Sequence, residues 1–397
     1  MHPLFWTFAI LGGYLIGSIS PSYFLGKILK KIDIRDYGQR RADTFNTYKV
    51  LGLGPAITTA IFDLSKGVLV LTLANLAGAS PFLMYLTALA AILGQIFPFY
   101  LRFRGGQGIV TASGILVYYL VLIYMKGWLP WESLFLLVFC LFSFIHITKT
   151  GEFVGAIVLS FLAAFVIVFS PFQTYTLFIL SVITFILFIT FLNIRRQKLL
   201  NPQRPLKEKL NWRLYLRPVA VLFIINYLKT DKKDTLTLIG SVVLFFLLLD
   251  FIRLFSKKIN IYIFKNIKDF YKTKEYKTFS SITIFLVASF LTILLFEKSI
   301  AILAVSYLIF GDFFSKFFGL LFGRTKIFKK SLQGSLAHFN ACLLTGFIFL
   351  HFVKLPVHAY LTGAFVASLM EVLPLGVNDN FSVPLLSAST MYVFLSF

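Results

Sequence analysis

Long apolar stretches alternate with short polar segments along the whole chain. An α-helix rising about 1.5 Å per residue needs roughly 17 to 25 such residues to cross about 30 Å of hydrocarbon. By that rule the first half predicts helices at approximately 4–25, 53–76, 82–101, 109–125, 131–147, 153–170 and 172–192. The second half predicts them at approximately 214–228, 235–252, 281–297, 299–318, 332–352, 356–374 and 382–397. The implied class is all-α, a polytopic integral membrane protein of about fourteen transmembrane helices in two bundles. A membrane barrel would show ten-residue alternating segments instead, and irregular backbone cannot face lipid. Between the two sets lies the polar, proline-containing NIRRQKLLNPQRPLKEKLNWR, the best domain boundary, which predicts domains at 1–200 and 201–397.

Composition agrees. The 397 residues are 58% hydrophobic and 14% charged, with mean hydropathy +0.85, which excludes an ordinary soluble globular protein. Lys plus Arg at 38 against Asp plus Glu at 16 gives +22, a balance that in a soluble protein would suggest nucleic acid. Here the cations gather in short loops, so positive-inside topology explains them and no nucleic-acid partner is expected. Lys27, Lys30, Lys31, Arg35, Arg40, Arg41 and Lys49 share a side with Arg102 and Arg104, and with the basic stretches 195–217, 253–277 and 324–330. That side is expected to be cytoplasmic, with the N-terminus outside. KTDKKD at 229–234 breaks the rule. The first apolar run begins almost at Met1 without a basic leader, so it is expected to stay as the first span. Cys140 and Cys342 lie in apolar runs and predict neither a disulfide framework nor a metal cluster. NIYIFKNIKDFYKTKEYKTF, at 260–279, reads either as an amphipathic helix on anionic lipid or as a solvated basic loop.

Polar residues inside spans are costly and point to function or to pairing. In IFDLSKG, Asp63 and Lys66 lie three apart on one helix face, where each neutralises the other. In LGQIFPFYLRFRGGQGIVTASG, Gly105, Gly106 and Gly108 follow Arg102 and Arg104, a pattern that suits a backbone cradle for phosphate or a tight turn between helices. With GYLIGSIS, IDIRDYGQRRADTFNTYKVLG, FDLSKG and the closing LNIRRQKLL, this segment resembles the bacterial acyl-phosphate:glycerol-3-phosphate acyltransferase (PlsY) family over residues 10–200. The resemblance implies seven helices and acyl transfer from acyl phosphate to glycerol 3-phosphate without a metal, in a bacterial plasma membrane. It assigns an acyltransferase-like cleft to Gly38, Asn46, Lys49, Asp63, Lys66, Arg104, Gly105, Gly106, Gly108 and Asn193.

The departures from that family are specific. Against a first motif near GSGNIGATNVLR this chain has GQRRADTFNTYK, keeping Gly38 and Asn46 but placing Gln39 at the Ser and Lys49 at the Arg. Against GHxFP and GGKG it has Gln95 and Gln107, and in the closing motif Thr190 and Leu192 stand where the family has His and Glu. A Gln cannot supply the point charge that Lys gives a phosphate, and the missing His removes a base suited to neutral pH. Lost or altered acyltransferase activity is expected, with Arg40 and Arg41 as added cations.

The second half has two polar clusters. In LIFGDFFSKFFGLLFGRTKIFKKSLQGSLAHF, Asp312 and Lys316 share a helix face, and Gly323, Arg324, Lys326, Lys330, Ser331 and Gly334 lead into the next helix, a composition that suits phosphates or merely an anionic membrane surface. In MEVLPLGVNDNFSVPLLSA, Glu371, Asn378, Asp379 and Asn380 offer hard oxygen atoms or an Asx-rich turn. These blocks, with LFFLLLDFIRLF, resemble the integral-membrane dolichol, phytol and diacylglycerol kinases, which typically use CTP, over 210–397. The resemblance implies Mg²⁺ on Asp312 and Asp379, catalytic roles for Asp312, Asp379, Glu371 and Lys330, and nucleotide phosphates on Arg324, Lys326, Ser331, Gly334, Gly323 and Asn380. Gln333 stands where members often have Glu, and His338 reads as a packed neutral imidazole.

The expectation is therefore a membrane transferase of lipid metabolism that phosphorylates a lipid alcohol of polyprenol or diacylglycerol type from a nucleoside triphosphate at the cytoplasmic face. Its partners would be that alcohol, the nucleotide and membrane lipids. The alternatives are glycerol-3-phosphate acyl transfer, with acyl phosphate and glycerol 3-phosphate as partners, and a non-catalytic lipid-phosphate binder, transporter or scaffold.

Overall fold

The computed structural model describes residues 3–199, 217–266, 273–374 and 376–395. The chain is an all-α polytopic membrane protein. Among the described residues the only strands are the antiparallel pair Lys326–Ile327 and Lys330–Ser331. Among the described residues nine helices are long and apolar enough to cross a membrane, and four more are apolar but of 10–17 residues. The difference from about fourteen full spans has a simple cause. Runs at the edge of the length rule fold as Ser281–Leu295 or Asp379–Val393, each 15 residues, and at 1.5 Å per residue these reach only about 22 Å.

Two compact units form, one from Met1–Trp131 with Gly155–Gln197, the other from Glu132–Val154 with Lys198–Phe397. The segment Glu132–Val154 thus packs within the second unit although it precedes the boundary read at residue 200. Its Phe144 ring meets Phe318 with centroids 5.0 Å apart, Phe153 meets Phe322 at 5.1 Å, and Asn340 donates to Ser143 Oγ at 2.6 Å. Most of the linker (200–216), and residues 267–272 of the basic stretch read as amphipathic, lie outside the described residues. The stretch begins within a helix, Lys257–Asn266.

Small residues set helix spacing in the first unit. A Cβ on Gly17 would fall on the Ala91 carbonyl and one on Gly94 on the Tyr14 carbonyl, so helices Pro3–Ser18 and Pro81–Ile96 touch backbone to backbone. Without a hydrophobic drive between helices in lipid, such close approach supplies the packing attraction.

In the second unit a π-helical turn, Tyr307–Gly311, interrupts the span Lys298–Phe322 immediately before Asp312. The Tyr307 hydroxyl donates to Tyr360 O at 3.1 Å and the Tyr360 hydroxyl to Leu343 O at 2.5 Å, tying three helices. The KTDKKD turn explains its exception to the charge rule in local terms. Lys232 donates to Phe296 O, and Lys298 donates to Leu228 O and Thr230 O, so these cations satisfy carbonyls at helix ends.

Helix Lys232–Phe255 carries a buried ion pair. Arg253, fully buried, donates to Asp250 Oδ1 at 2.8 and 3.1 Å, to Glu275 O at 2.8 Å and to Thr278 O at 2.7 Å. Asp250 Oδ2 accepts from Ser280 N and Thr283 Oγ1, each at 2.7 Å. Glu275 in turn accepts from Ser281 N at 3.3 Å and from its hydroxyl. Removing one partner of such a pair leaves an uncompensated buried charge, at roughly 3–5 kcal/mol. Arg253→Met is therefore expected to destabilise the detergent-solubilised protein by about that amount, and Asp250→Leu/Arg253→Met by clearly less, read as melting temperatures. Equal losses in the two variants would contradict the pairing.

Candidate functional site

In the first unit the motif loop is built around Asn46, which is fully buried. Asp43 caps helix Thr44–Leu51 by accepting from Asn46 N at 2.9 Å. The Asn46 amide nitrogen donates to the carbonyls of Ile34, Tyr37 and Arg41 at 3.0, 3.1 and 2.7 Å, and its oxygen accepts from Gln39 N at 2.6 Å. Gly38, at φ +61°, lies so close to that oxygen that a Cβ there would collide with it. Gly38 and Asn46 are thus the loop's framework, with no amide group of Asn46 left for a ligand. Arg41 pairs with Asp43 at 2.9 Å, and Lys49 lies over the Phe45 ring at 4.8 Å. An open depression of ≈ 580 Å³ beside this loop is lined by Lys30, Ile32, Tyr37, Gly38, Lys49 and Val50.

Asp63 and Lys66 form an ion pair at 2.8 Å, both buried. Lys66 also donates to Gly17 O at 3.1 Å, to Ile19 O at 2.8 Å and to Gln95 Oε1, while Gln95 Nε2 donates to Asp63 Oδ2 at 3.3 Å. The ammonium is saturated by helix ends and side chains, which is a structural use. The Gly-rich segment is a tight turn rather than an open cradle. Gly105 N donates to Ile96 O and Gly106 N to Gln95 O, both at 3.0 Å, so these two amides do not face a phosphate. Gly108, at φ +75°, opens helix Ile109–Met125, and Arg104 is exposed. Asn193 and Gln107 form a reciprocal amide pair at 2.8 and 3.0 Å, an element the sequence signalled only as two separate departures from the resembled family.

In the second unit Lys330 joins acids from two helices, and a third helix carries Asp312. Asp312 begins helix Asp312–Phe322 and pairs with Lys316 at 2.5 Å. Glu371, near the end of helix Val357–Val372, is buried and accepts on Oε1 from Ser315 Oγ at 2.9 Å and from Lys330 Nζ at 2.5 Å. Asp379 opens helix Asp379–Val393 and takes the same ammonium at 2.7 Å. Lys330 therefore bridges two carboxylates from different helices. Burial acts to lower its pKa, but attraction to Glu371 and hydrogen bonds to Asp379 and Glu371 outweigh this and leave it above the ordinary value, so the ammonium persists at neutral pH. Ser315 was not among the expected site residues. Its signal was its position three residues after Asp312, on the same face.

The expected phosphate-binding group is arranged differently from a ready cradle. Ser331 Oγ accepts from Gly334 N at 3.2 Å as the cap of helix Leu332–Leu350, so hydroxyl and amide satisfy each other. Gln333 Oε1 accepts from Arg324 N at 2.9 Å and Thr325 N at 3.2 Å, closing two amides that would otherwise face an anion. The Arg324 side chain donates to Ile147 O at 2.7 Å. Asn380, buried, donates to Ser281 O at 3.1 Å and ties its helix to the start of helix Ser281–Leu295. Gly323 stands against Ser331, where a Cβ would be 2.9 Å from its hydroxyl. Lys326 and Lys329 are exposed on either side of Phe328, whose φ of +52° is unusual for a bulky residue. Among the described residues no group of three or more His, Cys, Asp or Glu side chains forms a metal-binding set. His338 is buried with Nδ1 2.9 Å from Ser368 Oγ, as a packed imidazole would be.

Comparison with known proteins bears on the first unit. Residues 7–200 match the protein family described as glycerol-3-phosphate acyltransferase. The glycerol-3-phosphate acyltransferase of Shouchella clausii strain KSM-K16 is 47% identical over 108 residues, 27% of this chain and 53% of that protein. The glycerol-3-phosphate acyltransferase of Halalkalibacterium halodurans is 41% identical over 109 residues, again 27% and 53%. The chain spans about half the length of these curated relatives. A crystal structure of PlsY (YgiH), an integral membrane glycerol 3-phosphate acyltransferase, in its glycerol 3-phosphate form, covers 48% of this chain and 91% of that one, with TM-score 0.39 and 21% identity. The sequence match to glycerol-3-phosphate acyltransferases thus lies in the N-terminal part of the chain.

Because the Asn46 side chain binds three carbonyls and one amide, Asn46→Ala is expected to cost about 3 kcal/mol or more. Limited proteolysis of the purified protein at Lys31–Arg41 should become rapid. A loop as resistant as that of the unaltered chain would show that the network is dispensable.

Proposed function

We propose that this chain is a membrane transferase of phospholipid metabolism whose N-terminal unit is a glycerol-3-phosphate acyltransferase of weakened catalysis. The observation that carries this reading is the match of residues 7–200 to that family. In the reaction a hydroxyl of glycerol 3-phosphate would attack the acyl carbon of acyl phosphate, the new ester C–O bond forming as the acyl–phosphate bond and the hydroxyl O–H bond break, with inorganic phosphate leaving and carrying off the proton. The exposed Arg104 and the lysines of the open depression supply cationic surface for these anions. Proton transfer is the weak point, because Gln95 is engaged by Lys66 and Asp63 and Gln107 by Asn193, and an amide is not a base at neutral pH. On this reading the basic loops face the cytoplasm and the N-terminus lies outside.

A second reading has its own support in the acid and lysine cluster of the second unit: phosphorylation of a lipid alcohol from CTP or a similar nucleotide. Direct in-line transfer needs a cationic grip on the phosphates and little covalent chemistry from the protein. Lys330 would supply that grip once released from Glu371 and Asp379, with the exposed Arg324 and Lys326 in the adjoining segment as further cations. The donors suit Mg²⁺, since hard carboxylate oxygens are present, Glu371 Oε2 is buried without a hydrogen-bond partner, and Mg²⁺ commonly takes one or two carboxylates plus substrate phosphates. Asp312 and Asp379, with Glu371 assisting, would hold it, and when bound it would neutralise charge on the phosphate oxygens. An alcohol with an apolar tail would reach the cluster from the bilayer.

Two assays test these readings. With acyl phosphate and glycerol 3-phosphate, the unaltered protein should form lysophosphatidic acid slowly, and Gln95→His/Gln107→Lys should raise the rate by about 10²-fold, as restored acid–base and charge contacts would. Absence of product from both proteins, with no binding of glycerol 3-phosphate, would end the acyltransferase reading. With labelled CTP or ATP, Mg²⁺ and a panel of lipid alcohols, phosphorylated lipid should appear and should fall by about 10²-fold or more in Asp312→Asn. Full kinase activity in that variant would remove Asp312 from the site.

A further inference from the structure

Three acids of the second unit, Asp312, Glu371 and Asp379, are each held by an ammonium. Lys316 lies 2.5 Å from Asp312, and Lys330 lies 2.5 Å from Glu371 and 2.7 Å from Asp379. The Glu371 carboxylate is loaded unevenly. Its Oε1 accepts from both Lys330 and Ser315, while the buried Oε2 accepts no hydrogen bond. Asp379 is the most accessible of the three groups at 38%, and Lys330 is the one carried by a hairpin. It extends from the short strand Lys330–Ser331, opposite Ile327 in a hairpin whose turn residues Phe328 and Lys329 are exposed, and its side chain is 26% accessible. Glu371 and Asp379 instead belong to helices, and Glu371 is further held by Ser315.

We propose that Lys330 is an exchangeable counter-cation, occupying between Glu371 and Asp379 the place of a divalent cation and surrendering it only when a polyphosphate offers the lysine a new anionic partner. This rests on the kinase reading and adds a binding order to it. Two cations cannot both sit against the same pair of carboxylates without strong repulsion at a few ångströms. A metal arriving alone must evict Lys330 with nothing to receive the ammonium. A nucleotide arriving alone brings its negative charge towards two carboxylates. Arriving together, they would give each cation an anionic partner, since the carboxylates of Glu371 and Asp379 could hold the metal while Lys330 turned to the phosphates. The site therefore couples the two ligands, and by linkage each raises the affinity of the other by the same factor. Lys330 is a better exchanger than an arginine would be, because its point charge sits on a flexible stem and makes no bidentate lock with a carboxylate.

The test uses the full chain in detergent, with Mn²⁺ as the probe, followed by the electron paramagnetic resonance signal of the free ion. In the unaltered protein, Mn²⁺ should bind weakly alone and roughly tenfold or more tighter with CTP or ATP present. Lys330→Gln should bind Mn²⁺ without nucleotide about tenfold tighter than the unaltered protein does, and should lose most of the enhancement by nucleotide. Lys330→Arg, which keeps the charge, should show no such gain. Lys330→Gln with unchanged Mn²⁺ affinity overturns the exchange, whether or not nucleotide binds. A gain in Lys330→Gln with no nucleotide effect in either protein removes the polyphosphate from the exchange and overturns the proposal together with the kinase reading, whereas a nucleotide effect that survives Lys330→Gln overturns the exchange alone. Should Lys330→Gln fail to fold, acetylation of the unaltered chain read by mass spectrometry decides. Lys330 should react more slowly than Lys326 and Lys329 in the free protein, lose that protection at saturating Mn²⁺ alone, and regain it when CTP is added. Equal reactivity of the three in the free protein overturns the proposal.

Discussion

A charge carried into a low-dielectric span must bring its partner with it, because neither lipid nor packed apolar side chains can replace water around it. Each of the pairs described here obeys this constraint. Asp63 meets Lys66, Asp250 meets Arg253, Asp312 meets Lys316, and Glu371 meets Lys330. The pairs then differ in what else surrounds them, and that difference separates framework from candidate site. Lys66 and Arg253 spend their remaining donors on backbone carbonyls and are buried throughout. Lys330 spends its donors on two carboxylates from separate helices and keeps contact with solvent.

The same constraint shapes how the first unit departs from the family it resembles. A histidine or lysine at positions 95 and 107 would bring titratable or permanent charge to the motif loops. Gln95 and Gln107 supply neutral donors and acceptors that close onto Lys66, Asp63 and Asn193. The fold survives such exchanges because amides satisfy buried polar groups as well as charges do, and at lower desolvation cost. The chemistry is less forgiving, since it needs a proton acceptor or a point charge at a defined place.

Much of the architecture was legible in the residue pattern. Apolar run length predicts Leu53–Leu76, Lys232–Phe255 and Leu332–Leu350 closely, since helix is what continuous apolar sequence must form in lipid. The Asp63 and Lys66 pair was readable from its spacing. The roles of Gly105, Gly106, Ser331 and Asn380 were not, because the residue types that hold a phosphate are also those that cap helices and close turns. Only the identity of the partner atom distinguishes the two uses, and that partner lies elsewhere in the chain.

The sequence by itself determined the class, the spans and the segregation of charge, all of which follow from local composition and helical rise. The resemblance of residues 10–200 to an acyltransferase family was equally a matter of local motifs. Tertiary structure decided which carboxylate meets which ammonium, as when Lys330 reaches Glu371 and Asp379 across 41 and 49 residues. It also decided that Glu132–Val154 packs with the second unit. Both outcomes depend on contacts distant in sequence, where apolar helices of similar composition present many equivalent faces and only side-chain shape and charge pairing choose among them.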